Sequence, residues 1–218
     1  MPSGTYSERK TQVLDAVREE LDAARRDQII EAFANVVADK GYPATTVADI
    51  ARVGHVSKST VYAHFADKET IYLALHDAVA RRIQSILVEL ERDVTTTTSW
   101  SEPARRAIAT YLDAIVSEPA FLTQLMVEAN NATPAMAKAR WEAGERFAAT
   151  MVRIADRFRT SSDGEAGMTL PMARAFLAAF LGLLQWAAVD GPDAVRQLQA
   201  PIEELLHRLV GAPPPLSR

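Results

Sequence analysis

Residues 45–65 read TTVADIARVGHVSKSTVYAHF, and the spacing within this stretch decides the fold. Thr46 with Asp49 three positions on is a capping box with Asp in place of Glu or Gln, so a short helix opens here and ends near Val53. Ser57 caps a second short helix, from Lys58 to about Phe65. Two short helices joined by a tight turn form a helix-turn-helix pattern. In the second helix Val61 and Phe65 stand four apart, so they share a face and are expected to bury against Ile50 and the preceding helix. The opposite face presents Lys58, Ser59, Tyr62 and Ala63, flanked by Thr60 and His64. These donors and small groups suit a major groove bordered by phosphates. No acidic residue lies between Ile50 and Ala66, whereas Arg52, Lys58 and two histidines do.

Working outward, residues 7–24 place Val13, Leu14, Val17 and Leu21 at helical spacing. Residues 25–40 repeat the pattern with Ile29, Ile30, Phe33, Val36 and Val37, and Gly41 closes the helix. Asp67 caps a helix that runs to about Arg92. A threonine-rich loop follows at 94–100, then a helix with Pro103 in its first turn that ends near Ser117. The chain restarts at Glu118-Pro119 toward Asn131, and Thr133-Pro134 opens a long helix to about Arg159. After a loop at 160–168, the segment from Leu170 to Val189 is apolar on nearly every side, which predicts burial on more than one face. The last helix runs from Gly191-Pro192 to Val210, with a kink expected at Pro201.

Composition agrees with an all-α, soluble protein. The chain has 218 residues, 48% of them hydrophobic and 24% charged, with 38 Ala against 9 Gly. It contains no Cys, which removes disulfides, thiol nucleophiles and Cys-ligated zinc. Together with the absence of a secretory pattern in MPSGTYSERK, that suits a cytoplasmic location. The longest uncharged run, Ala175–Val189, is 15 residues, short of a membrane span, so no membrane partner is expected. The net charge is −4, so any polyanion must be bound by a local patch. There is no HExxH, Gly-rich phosphate loop or GxSxG, and His55, His64, His76 and His207 form no ligand cluster in the sequence. Neither an enzyme nor a metal or other cofactor is expected.

The stretch 25–75 resembles the N-terminal domain of the TetR family of transcriptional regulators. The resemblance is carried by Ile29, Ile30, Ala32, Phe33, Gly41-Tyr42, Thr46-Val47, Ile50-Ala51, Val56-Ser57, the run Thr60–Phe65 and Lys68-Glu69, without a gap. It implies a three-helix DNA-binding head on a helical body that binds a small-molecule effector and forms a homodimer. By residue chemistry, Lys58 and Ser59 are placed to reach base edges of a double-stranded operator. Thr46 is placed to donate its hydroxyl to a phosphate. Thr60, Tyr62 and His64 match positions that grip the backbone in the family, and Lys68 is expected at a phosphate. The family pattern has Ala-Gly in the turn, where this chain has Gly54-His55. Either His55 takes a positive φ, at a cost of about 1 kcal/mol, or Gly54 takes it and the turn shifts by one residue.

Residues 1–24 precede the first helix of the resemblance. Arg9, Lys10, Arg18, Arg25 and Arg26 could add phosphate contacts, but Asp15, Glu19, Glu20 and Asp22 dilute them. An amphipathic helix that caps the head or packs on a partner is the favoured reading. The chain therefore divides into an extension at 1–24, a DNA-binding domain at 25–72 and a ligand-binding and dimerisation domain at 73–218. In the body, Tyr111, Phe121, Leu125, Glu128, Trp141, Phe147 and Met151 are candidate ligand contacts. Phe176, Phe180 and Leu184, with Leu198, Ile202, Leu205 and Leu209 of the last helix, are candidate dimer contacts. The function expected is a repressor released from its operator by a small molecule, through a tilt of the helix that starts at Asp67. The alternative is a helical adaptor that binds a protein partner without DNA.

Overall fold

The computed structural model describes residues 6–94, 101–118, 133–161 and 167–210, and among these there is no strand. The chain separates into two compact units, one up to Ala74 and one from Leu75 onward.

The first unit holds α1 (Tyr6–Lys40), α2 (Val47–Val53), α3 (Lys58–His64) and the start of α4 (Lys68–Val94). No Gly or Pro interrupts residues 6–40, so the two amphipathic stretches fuse into one helix of 35 residues. Gly41 ends it at φ +79, with its N–H donating to the Val37 carbonyl at 2.8 Å. The C-terminal half of α1 buries Ile29, Phe33 and Val37 together with Ile50, Val61, Phe65 and Tyr72. Phe33, Tyr42 and Tyr72 meet edge to face at centroid distances of 6.2 Å.

The N-terminal half of α1 does not cap this core. Val13, Leu14, Val17 and Leu21 are exposed, Leu21 by 65%. The reason is length: a 35-residue helix is about 52 Å long, and α2 and α3, seven residues each, are about 10 Å long.

The second unit contains the rest of α4, α5 (Ser101–Ser117), α6 (Pro134–Ser161), α7 (Leu170–Asp190), α8 (Pro192–Gln197) and α9 (Gln199–Val210). Helix α6 lies along α7, while α5 packs on α8 and α9. Buried Glu91 on α4 takes a bidentate pair from Arg153 on α6 at 3.0 and 3.1 Å. Those hydrogen bonds hold the Glu91 carboxyl below its usual range.

Helix α7 buries a single stripe, Ala173, Phe176, Phe180, Leu184 and Ala187, stepping by three and four. The expected burial on several faces is not realised within the chain, since Trp186 is 78% and Val189 86% exposed. The expectation that no segment is long enough to cross a membrane is also corrected. Leu170–Met172 extend the apolar run past Arg174, giving a 21-residue helix with a window of mean hydropathy 1.6. Its Arg174 is held by Glu145 on α6 at 2.8 and 2.5 Å, and its buried stripe belongs to the core of this unit.

The last helix is broken at Leu198 rather than kinked at Pro201. Pro201 sits in the first turn of α9, and its missing N–H leaves the Gln197 carbonyl, at the end of α8, without its helical donor.

Candidate nucleic-acid interface and internal cavity

The candidate recognition surface is built by three caps. Thr46 Oγ1 accepts from the Asp49 N–H at 3.3 Å while Asp49 Oδ2 accepts from the Thr46 N–H at 3.2 Å, closing the capping box on α2. Asp49 also takes hydrogen bonds from Lys40 and from the Thr46 hydroxyl, in that order of effect, and its carboxyl is held down at about 2. Ser57 Oγ accepts from the Thr60 N–H at 3.0 Å and starts α3. Asp67 Oδ1 accepts from the Thr70 N–H at 2.8 Å and starts α4.

Between α2 and α3 the turn is set by two adjacent residues with different tasks. His55 takes the left-handed conformation, at φ +49, and Gly54 stays at φ −79. The turn has not shifted. Gly54 is required for proximity instead: a Cβ there would sit 3.0 Å from the Ala32 Cβ and 3.1 Å from the Ile50 carbonyl. Its own carbonyl accepts from Gln28 Nε2 at 2.8 Å, which fixes α2 and the turn against α1.

With the turn fixed, α3 buries Val61 completely and Phe65 beneath it. Arg26 of α1 covers the Phe65 ring at 4.4 Å. The outward face carries Lys58, Ser59, Tyr62 and Ala63, all exposed, with Tyr62 exposed by 57%. Ser59 Oγ lies 2.7 Å from Ser57 Oγ, and Thr60 Oγ1 lies 2.8 Å from it. Lys58 forms no ion pair among the described residues. Thr46 is exposed at the edge of the same unit.

Three residues expected at phosphates are committed within the chain: the Thr46 hydroxyl donates its one proton to Asp49, and Lys68 and His64 have partners as well. Lys68 Nζ donates to the carbonyls of Tyr42 at 2.9 Å, Thr45 at 3.3 Å and Pro43 at 3.4 Å. An ammonium has three donors, and these use them all. Lys68 therefore holds the loop before α2 rather than presenting a free charge, a role that depends on tertiary placement. His64 Nδ1 lies 3.6 Å from Asp22 Oδ1 with its side chain only 12% exposed. That contact joins the long N-terminal helix to α3, which sequence spacing does not reveal.

The second unit carries a cavity of about 1230 Å³ that is open to solvent on one side. Tyr111, Trp141, Phe147 and Met151 all line it. Phe121, Leu125 and Glu128 lie outside the described residues. Phe176 and Phe180, expected at a dimer contact, line this cavity and are buried within the chain. Leu184 and Ile202 are fully buried as well, so none of these four can be presented to a partner. The inward turn of the α7 stripe is the cause for Phe176, Phe180 and Leu184, and Ile202 lies on the buried side of α9. Leu198, Leu205 and Leu209 remain half-buried. The cavity also carries cations that the sequence reading missed: Arg81, Arg140, Arg146 and Arg174. Among the described residues no cluster of His, Cys, Asp and Glu could hold a metal ion.

Residues 29–75 match the family described as bacterial regulatory proteins, tetR family. The chain is 32% identical over 91 residues to the HTH-type transcriptional activator FasR of Mycolicibacterium smegmatis, covering 42% of this chain and 40% of that protein. It is 26% identical over 106 residues to the fatty acid metabolism regulator protein of Bacillus subtilis, covering 48% of this chain and 53% of that one. The chain thus spans about half, or less, of the length of these curated relatives. Among solved structures, the transcriptional regulator FadR from Bacillus subtilis in complex with stearoyl-CoA has a TM-score of 0.65 at 21% identity, covering 82% of this chain and 96% of that chain. This likeness shows the fold: a helix-turn-helix head followed by a helical domain.

Proposed function

We propose that this chain, which carries the N-terminal domain of the tetR family of bacterial regulatory proteins at residues 29–75, is a DNA-binding transcriptional regulator controlled by a small-molecule effector. The observation that carries the reading is the outward face of α3. Lys58 and Ser59 stand at its start, exposed and unobstructed, and are the residues that read base edges. Thr60 and Tyr62 flank them and contact phosphates. His64 sits at the rim, oriented by Asp22.

The cavity of the second unit supports the effector half of the reading, and so does the stearoyl-CoA held by the Bacillus subtilis relative. Helix α4 begins in the first unit and lines the cavity in the second through Ala80, Ile83 and Leu87. It is the covalent element by which occupancy of the cavity reaches the head. An effector that prefers the DNA-incompetent arrangement releases DNA by differential affinity alone, as a repressor released by its effector does.

Two α3 helices read half-sites one helical turn, about 34 Å, apart only in a dimer. The surface available for pairing is the outward side of α7, with Ala175, Ala179 and Trp186, and the half-buried Leu205 and Leu209 of α9. The chemistry of the site is that of binding, and no catalytic role is assigned to any residue. Retardation of the protein's own upstream DNA tests the reading. The shift should weaken steeply as salt is added, because each neutralised phosphate releases counterions. A salt-insensitive shift, or none, favours the adaptor reading.

A further inference from the structure

We infer that the cavity of the second unit takes an amphiphile with an anionic headgroup, and that Arg140 is the residue that holds the head. This rests on the reading of that unit as an effector domain. The charges around the cavity carry the inference. Its described lining has four arginines, Arg81, Arg140, Arg146 and Arg174, against two carboxylates, Asp77 and Glu145. Arg81 pairs with Asp77, and Arg174 is bidentate to Glu145 at 2.8 and 2.5 Å. Arg140 and Arg146 make no ion pair or side-chain hydrogen bond among the described residues. The surplus of positive charge therefore resides on these two.

Helix geometry separates them. Ala137, Arg140, Gly144, Phe147 and Met151 step by three and four, so Arg140 belongs to the stripe of α6 that lines the cavity. Arg146 is six residues further on, about 120° around the helix from Arg140. Arg140 is exposed, as is its neighbour Trp141, so both stand where the cavity opens to solvent. Deeper on the same stripe Met151 is buried, and Phe176 and Phe180 complete an apolar interior.

An exposed guanidinium at the mouth and an apolar floor match a molecule with a charged head and a hydrocarbon tail. The volume, about 1230 Å³, exceeds the roughly 300–1,000 Å³ of ordinary small-molecule sites, which suits a long tail. A guanidinium fork accepts a carboxylate or a phosphate bidentately, so either head is compatible.

The test uses four twelve-carbon probes of equal tail length, each below its micelle-forming concentration: dodecanoate, monododecyl phosphate, dodecanol and dodecyltrimethylammonium. Binding to the full chain is measured by calorimetry without DNA, so that a failure here is separate from a failure to bind an operator. The two anionic probes should bind about tenfold or more tighter than dodecanol, the difference expected of a charge-assisted hydrogen-bonded pair. Their ratio identifies which head is preferred. Arg140→Ala should abolish that advantage while leaving dodecanol affinity unchanged, Arg140→Lys should keep part of it, and Arg146→Ala should keep it all. Equal affinities for all four probes, tightest binding of the ammonium, or an advantage that survives Arg140→Ala in a folded variant would overturn the inference.

Discussion

Lys68 Nζ lies 4.4 Å above the ring of Tyr42 while donating to the carbonyl of the same residue at 2.9 Å. One ammonium thus ties the start of α4 to the loop that precedes α2, through a cation–π contact and a hydrogen bond on a single partner. The Tyr42 hydroxyl titrates above its ordinary value because burial and the nearby Glu69 and Asp67 disfavour the phenolate, so the ring stays neutral beneath the ammonium.

This arrangement predicts how Lys68→Met will behave. Removing the ammonium leaves the Pro43 and Thr45 carbonyls without that donor, while the Tyr42 carbonyl keeps the Thr45 N–H at 3.2 Å, and should cost about 1–3 kcal/mol of stability, read by urea unfolding. The slope of DNA affinity against salt should stay as in the wild type. A residue that contacts phosphate would instead lower the slope by about 1.

Gly54→Ala is expected to destabilise by about 1–3 kcal/mol, because the added Cβ presses on backbone and on the Ala32 Cβ rather than on a flexible chain end. His55→Val should cost about 1–2 kcal/mol, since a β-branched residue tolerates φ +49 poorly. Thermal unfolding followed by circular dichroism separates the two. If Gly54→Ala is neutral, the close approach of α1 and α2 is wrong.

These positions mark how far the sequence could be read. The caps Thr46, Ser57 and Asp67 were legible because each acts within three residues of itself, and the Val61–Phe65 face because it repeats every four. The tasks of Gly54 and Lys68 were not, since both depend on where α1 and the loop at Tyr42 come to lie. Helix α7 misled for another reason: a segment apolar all round does not say which stripe turns inward, and Phe176 and Phe180 turned toward the cavity. Arg140 could have been found from its spacing with Gly144, Phe147 and Met151. That its charge is uncompensated emerges only when the pairs of Arg81 and Arg174 are seen.

Acid should act on the head through Asp49. Its folded carboxyl titrates at about 2, below the usual value near 4, so the deprotonated form is favoured by folding. The associated stability is present above about pH 4 and is lost as pH falls toward 2. Asp49→Asn should flatten stability over that window without changing it above in the same pH-dependent way. Chemical unfolding at a series of pH values measures the difference.

Burial pushes the His207 imidazole the other way from a charge-stabilised histidine, lowering its proton affinity. Between its unfolded value near 6.5 and its lower folded value, the unfolded chain binds the extra proton. Stability should therefore fall as pH drops below about 6.5, and His207→Gln should remove that component. An unchanged pH profile in the variant would show that this imidazole does not contribute.

Trp186→Glu places a carboxylate on the most exposed large aromatic of α7. If that face pairs two copies, sedimentation should show dissociation to monomer with helicity retained, because an unpaired charge at an apolar interface costs several kcal/mol.

The most direct measurement is the affinity of Lys58→Ala for the operator, by electrophoretic retardation on the protein's upstream DNA at fixed salt. Lys58 is exposed at the first turn of α3, so the variant should retain its helicity. Specific affinity should fall by about tenfold or more while residual, sequence-independent binding persists. Wild-type affinity in the folded variant would contradict the account, because the face of α3 would then not be the surface that reads DNA.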